Sequence, residues 1–215
     1  MTIADKTVLV TGANRGIGQA LVADALRRGA RRVYAGTRQP LAHPDGRVTP
    51  LTLDVTNPAQ IQAAAEQVDA LDLLINNAGI WLYDDLSDRA MLEEHLAVNF
   101  YGTWGVTQAF LPLLTRSKGT IVNNVSLMAL AALPLTPAYS ASKAAAFSLT
   151  QSLRALLAGR GVRVHAVLTG PGRHRHDPKP RHSQGLPGIG RTGHPRRRGE
   201  RGGGHLPRSH VGLAG

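Results

Sequence analysis

The sequence predicts an α/β fold built on a doubly wound parallel sheet. Three observations carry that prediction. Thr11–Gly18 reads Thr-Gly-Ala-Asn-Arg-Gly-Ile-Gly, set between a β-branched, aliphatic run at Lys6–Val10 and helically spaced apolar residues in Gln19–Arg28. Strand-like and helix-like stretches alternate from there to Leu168, which calls for parallel strands joined by right-handed crossovers. The chemically marked residues fall at predicted strand ends or on the helices that follow.

Composition sets the frame. The 215 residues suit one α/β domain, and 42% hydrophobic content supplies a core. The absence of cysteine excludes disulfides and cysteine-based zinc sites. No apolar run of about 18 residues and no leader-like segment is seen, so a cytoplasmic, non-membrane protein is expected. The net charge is +11, but it is unevenly spread. Residues 1–172 carry a net +3, whereas 173–215 carry +8.

The elements follow in order. At the first strand-to-helix turn, Gly12 permits a sharp bend, Gly16 leaves no Cβ where a pyrophosphate must approach, and Gly18 allows close packing of helix on strand. The helix then offers free N–H groups and the positive end of its dipole to phosphates. Asn14, Arg15 and Ile17 complete this candidate cofactor loop. An ordinary Gly-rich loop is the plain alternative.

The second strand is Arg32–Gly36, followed by Thr37-Arg38. An acidic residue here would accept from ribose hydroxyls; Arg38 stands there instead, with Arg15 in the glycine turn. Two cations suit a 2′-phosphate, so the expected cofactor is NADP (NADPH), with NAD as second choice. Two solvated surface arginines are the alternative reading. Gln39–Arg47 holds two prolines and Asp45-Gly46, which predicts a loop rather than a crossover helix.

The third strand is Val48–Leu53, ending at Asp54-Val55, and Asn57-Pro58 then opens a helix through Ile61–Val68. Leu71–Ile75 is the fourth strand; Asn76-Asn77-Ala78-Gly79 follows, small enough for close approach of a ligand or another backbone. Leu86–Thr115 reads as one or two helices around Asn99. Gly119–Val125 is the fifth strand, followed by Ser126; Ala138–Leu157 is a long helix; Val162–Leu168 is the sixth strand, leading to Thr169-Gly170-Pro171-Gly172.

Tyr139 and Lys143 are four apart on that helix and share a face. A cation about 4–6 Å from a phenol favours the phenolate, which would make Tyr139 a usable acid–base. Ser126 is placed to hydrogen-bond the same substrate oxygen. Taken alone, a Tyr-x-x-x-Lys pair is more often a surface pair. Trp81, Tyr83, Leu127 and Met128 follow strand ends and are candidates for the substrate side, with core packing as the alternative.

Taken together, residues 1–172 resemble the short-chain dehydrogenase/reductase family. The matches are the segment 11–18, Asp54-Val55, Asn76-Asn77-Ala78-Gly79, Asn99, Ser126, Tyr-Ser-Ala-Ser-Lys at 139–143 and Pro171-Gly172. The resemblance implies a Rossmann-type sheet in the order 3-2-1-4-5-6 and hydride transfer between a nicotinamide cofactor and a ketone, aldehyde or alcohol. It implies Tyr139 as acid–base and Lys143 as support for the phenolate and ligand of the nicotinamide ribose. Ser126 would orient the substrate oxygen and Asn99 would hold a relay water. Asp54, Val55, Asn77, Ala78, Gly79, Pro171 and Gly172 would line the cofactor.

The resemblance stops after Gly172. Residues 173–215 contain 10 Gly, 10 Lys+Arg and 6 His, with almost no apolar periodicity. They read as a disordered basic tail, as a nucleic-acid-binding tail, or as a frame-shifted product. For the last reading, a GC-rich coding strand shifted by one base can be written to encode a capped amphipathic helix and a short strand, the missing end of the fold. The expectation is a lost seventh strand, an open apolar edge on the sixth and a weakened or absent tetramer. A homodimer surface around 95–115 and 138–157 would remain. Nucleic acid is not the expected partner. The leading reading is an NADP-preferring oxidoreductase impaired at its C-terminus; the alternative is an inactive cofactor-binding remnant or interaction protein.

Overall fold

The structure, a computed structural model, describes residues 2–39 and 41–170. Expectations for Pro171, Gly172, the seventh strand and the tail at 173–215 lie outside the described residues.

Six strands form one parallel sheet: β1 Thr7–Thr11, β2 Arg32–Thr37, β3 Val48–Thr52, β4 Leu73–Asn76, β5 Thr120–Asn124 and β6 Arg163–Val167. Their order is β3-β2-β1-β4-β5-β6, as expected. Register is set by in-step pairs such as Leu9 with Tyr34 and Leu9 with Leu74. The helices are α1 Gly16–Arg27, α2 Pro58–Glu66, α3 Arg89–Leu96, α4 Thr103–Ser117 and α5 Pro137–Leu157.

The period-2 alternation of strands divides the core. Leu9, Leu51, Leu74 and Ile121 belong to one apolar cluster with Ile61 of α2, Phe110 and Leu114 of α4, and Leu153 of α5. Val8, Val10, Val33 and Ile75 belong to another with Val22 and Ala25 of α1. Most strands therefore bury both faces, which is why they read as continuous apolar runs.

Local chemistry fixes the helix ends. Asn57 caps α2 by accepting from Gln60 N at 3.2 Å, with Pro58 in the first turn. Asp88 caps α3 at Ala90 N, 2.8 Å away. Lys118, in a left-handed conformation at φ 50, closes α4 before β5.

Three differences from the sequence reading have physical causes. The glycines Gly16 and Gly18 lie inside the first turn of α1, because their N–H groups already belong to the helix end. The helical region around Asn99 is two α-helices joined by a π turn at Ala97–Gly102, an insertion that periodicity does not resolve. Strand β6 is less continuously apolar than expected, with Arg163, His165 and Val167 exposed around buried Val164. The segment between β2 and β3 is a loop among the described residues, as its prolines predict.

Candidate active site

The C-terminal ends of β1, β4 and β5 meet at one point. Thr11 Oγ1 accepts from the backbone N–H groups of Asn77 and Ala78, both at 3.0 Å. Asn77 Nδ2 donates to Thr11 O at 3.0 Å and Gly12 O at 3.3 Å, while its Oδ1 accepts from Asn124 Nδ2 at 3.0 Å. Asn77 is therefore a brace across three strand ends, with both side-chain polar atoms engaged.

The brace holds the glycine turn. Gly16 has φ +54, and a Cβ there would meet nothing within 4 Å. Gly18 is the opposite case: a Cβ would fall 2.0 Å from Gly12 O. One glycine leaves open space and the other permits contact. Arg15, the N-cap of α1, makes no side-chain capping bond, and the first turn holds no acidic residue. The helix end thus keeps free N–H donors facing an open cradle. That arrangement fits a dinucleotide pyrophosphate, with exposed Asn14, Arg15 and Ile17 around it.

Ala13 N donates to Gly36 O at 3.1 Å, which ties the turn to the end of β2, where Arg38 is exposed. Among the described residues, neither Arg15 nor Arg38 has a carboxylate partner. Asp54 Oδ1 accepts from Thr56 N at 2.9 Å and Thr56 Oγ1 at 2.7 Å. Val55 packs so closely on Gly102 that a Cβ there would lie 2.7 Å from its Cγ2.

The group around Tyr139 assembles from β4, β5, the π turn and α5. Lys143 Nζ donates to Asn124 O at 3.0 Å and lies 5.7 Å from the centre of the Tyr139 ring. Burial holds the Lys143 ammonium down to about 8. Burial pushes the Tyr139 phenol up, and a hydrogen bond with Ser126 pulls it the other way. In the chain by itself, desolvation of the phenol outweighs the Ser126 hydroxyl. Ser126 Oγ also accepts from Met128 N at 3.2 Å.

Asn99 sits in the π turn and is 1% exposed. Its Oδ1 accepts from Ile80 N at 2.9 Å, and its Nδ2 donates to Ile80 O at 3.0 Å and Ser142 Oγ at 2.9 Å. A Cβ at Gly79 would lie 3.0 Å from Asn99 Oδ1 and 3.5 Å from Lys143 Nζ. Gly79 therefore marks where these two side chains converge, and its lack of a side chain leaves them room.

Beyond this group, the Trp81 and Tyr83 rings pack at 5.2 Å between centroids. Tyr83 and Leu127 are half exposed. Met128 is partly buried, its Sδ accepting from Thr136 Oγ1 at 3.8 Å. Leu130, Leu133 and Leu135 are also exposed. Sequence reasoning passed over that run, although its signal was present: apolar residues between Ser126 and Tyr139 that fit neither a strand nor a helix. It also passed over His95, which is fully buried and places its ring edge-on to Tyr139 at 6.3 Å. His95 is four residues before Asn99, on the same helical face, which was the available signal.

Among the described residues no cluster of three metal-ligating side chains occurs, and no helix is long and apolar enough to cross a membrane. The sheet order, the open cradle at α1 and the convergence near Tyr139 define the class as NAD(P)-dependent oxidoreductases. Comparison with known proteins narrows it. The family model described as short chain dehydrogenase matches residues 6–179, and the chain belongs to that family.

Individual relatives agree. The chain is 37% identical over 183 residues to 2-(S)-hydroxypropyl-CoM dehydrogenase 3 of Xanthobacter autotrophicus, a match covering 78% of this chain and 72% of the relative. It is 36% identical to Oxidoreductase UcpA of Salmonella typhimurium, covering 78% and 70%. A solved short chain dehydrogenase from Burkholderia cenocepacia, in complex with NADP, superposes with a TM-score of 0.77 at 41% identity over 80% of this chain and 74% of that one. ElxO with NADP bound superposes with a TM-score of 0.71 at 26% identity, covering 77% and 73%.

Proposed function

We propose that residues 1–172 form an NADP-preferring carbonyl reductase or alcohol dehydrogenase in which Tyr139 is the acid–base. The observation that carries this reading is the placement of Tyr139: Lys143 Nζ lies 5.7 Å from its ring, and the Ser126 hydroxyl acts on its phenol. The bound nicotinamide supplies or takes the hydride. Gly12, Asn14, Gly16, Ile17 and Gly18 hold its pyrophosphate at the start of α1. Arg15 and Arg38 take the 2′-phosphate through charge-assisted hydrogen bonds. Asp54 and Val55 would sit near the adenine, and Asn77, Ala78 and Gly79 would line the cofactor site; Pro171 and Gly172 belong to the same cofactor set.

In reduction, Tyr139 donates its proton to the developing alkoxide oxygen; in oxidation it takes that proton back. Ser126 Oγ orients the substrate oxygen. Lys143 binds the nicotinamide ribose and stabilises the phenolate. Asn99, beside Lys143 across Gly79, holds the relay water. Trp81, Tyr83, Leu127 and Met128 face an apolar carbonyl or alcohol. The NADP-bound solved relatives and the two arginines without a carboxylate partner among the described residues support NADP over NAD. A homodimer through α4 and α5 and a cytoplasmic setting complete the proposal. The basic tail is a frame-shifted appendage on this reading.

The test is cofactor binding to the full chain by calorimetry, with NADPH and NADH side by side. Micromolar NADPH binding, clearly tighter than NADH, is expected. Equal affinity removes the NADP preference, and no binding of either leaves a family fold without the activity.

A further inference from the structure

The loop after β4 is stitched to neighbouring elements at alternate residues. Ile80 is held at both its N–H and C=O by the Asn99 side chain. Leu82 N donates to His95 Nε2 at 3.2 Å, and His95 Nδ1 donates to Met91 O at 2.7 Å. Asp84 N donates to Leu135 O at 3.3 Å. Its carboxylate accepts from Ala138 N with both oxygens, at 3.1 and 3.2 Å. Trp81 and Tyr83, the intervening residues, pack on each other instead.

The last stitch supplies what helix α5 lacks. The N-cap of α5 is Thr136, which makes no side-chain capping bond. The N–H of Ala138, in the first turn, is one of the donors that a helix cannot satisfy internally. Asp84 satisfies it from 54 residues upstream. Its charge also lies at the positive end of the helix dipole. Tyr139 is the next residue along the chain.

We propose that Asp84 is a positioning residue for Tyr139: its carboxylate caps α5 at Ala138 and thereby fixes the phenol relative to Ser126 and Lys143. This inference rests on the reading of Tyr139 as the acid–base. Asp84 acts through the helix, without touching the reacting atoms. An uncapped first turn frays, and a displacement of about 1 Å at a reacting group costs on the order of 100-fold in rate. Asparagine keeps a carbonyl oxygen able to accept from Ala138 N, whereas alanine removes the acceptor.

The experiment uses the full chain labelled with [13Cζ]tyrosine. The chain has four tyrosines, so Tyr139→Phe assigns the Tyr139 signal by its loss. Asp84→Ala is expected to move or broaden the Tyr139 signal and leave those of Tyr34 and Tyr101 in place. Asp84→Asn is expected to leave all four unchanged. With NADPH and benzaldehyde, Asp84→Ala is expected to lower kcat by roughly 10- to 100-fold with the KM for NADPH within about twofold, and Asp84→Asn to restore kcat. An unchanged Tyr139 signal in Asp84→Ala overturns the inference, as does an Asp84→Asn variant that is equally damaged. Where Tyr139→Phe retains turnover, the acid–base reading falls, and the Tyr139 signal still decides whether Asp84 places the ring. If Asp84→Ala does not fold, amide exchange at Ala138 in the unmodified chain decides: protection supports the cap, and exchange at the rate of a free amide refutes it.

Discussion

Lys143 donates to the Asn124 carbonyl while its ammonium stands 5.7 Å from the Tyr139 ring. One buried cation therefore joins the end of β5 to the proposed acid–base on α5. Its burial is costly, and the first prediction concerns that cost.

A Lys pKa held down to about 8 means that the folded chain binds fewer protons than the unfolded chain between about pH 8 and 10.5. The burden on stability is fully present below pH 8 and is relieved as pH rises toward 10.5. Lys143→Met removes it. The depression corresponds to roughly 3 kcal/mol, and loss of the bond to Asn124 O offsets about 1 kcal/mol. The variant should melt higher than the unmodified chain at pH 7, with the gap closing toward pH 10.5. Equal melting temperatures at pH 7 in thermal scans would contradict this.

Tyr139→Phe removes the proposed proton donor and little volume. Turnover of a reducible carbonyl should fall by about 100- to 10,000-fold, while NADPH affinity measured by calorimetry stays within about twofold. Retained turnover would move the acid–base role to another group.

Arg38→Ala should weaken NADPH binding by roughly 10- to 100-fold, the range expected for losing a charge-assisted hydrogen bond, and leave NADH binding unchanged. A parallel loss for both cofactors would mean that Arg38 serves the loop rather than the 2′-phosphate.

Gly18→Ala places a methyl group 2.0 Å from Gly12 O, an overlap with backbone that no rotamer relieves. The cost should exceed about 3 kcal/mol. Differential scanning calorimetry should show a melting temperature lower by at least about 6 °C. A change under 1 °C would mean that the glycine turn shifts freely.

The alternation of strands and helices was legible in the sequence, and the strand order followed from the family resemblance. Strands such as β1 and β4 are buried on both faces, so their apolar runs are unbroken, and the glycine turn marks the first crossover. Residues near one another along the chain, such as Tyr139 and Lys143, could be grouped by helical spacing alone. Connections that close over long loops could not. The Asp84–Ala138 bond spans 54 positions and leaves no periodic trace. Asn77 was expected as a cofactor contact from its place at a strand end; that it also braces three strand ends is visible only in its hydrogen bonds. For the phenol of Tyr139, spacing reveals a nearby cation, but desolvation depends on everything packed around the ring.

The π turn at Ala97–Gly102 carries one more consequence. A π turn closes i to i+5, so it sets α4 out of phase with α3 by about one residue, or roughly 100° of rotation. Deleting one residue from this turn would restore a uniform helix. Either Asn99 and His95 or Thr103, Val106 and Phe110 would then swing away from the faces they now occupy. The outward positions of this helix pair are open to exchange of side chains, but its count of residues is not. Sequence drift here should proceed by substitution and almost never by insertion or deletion.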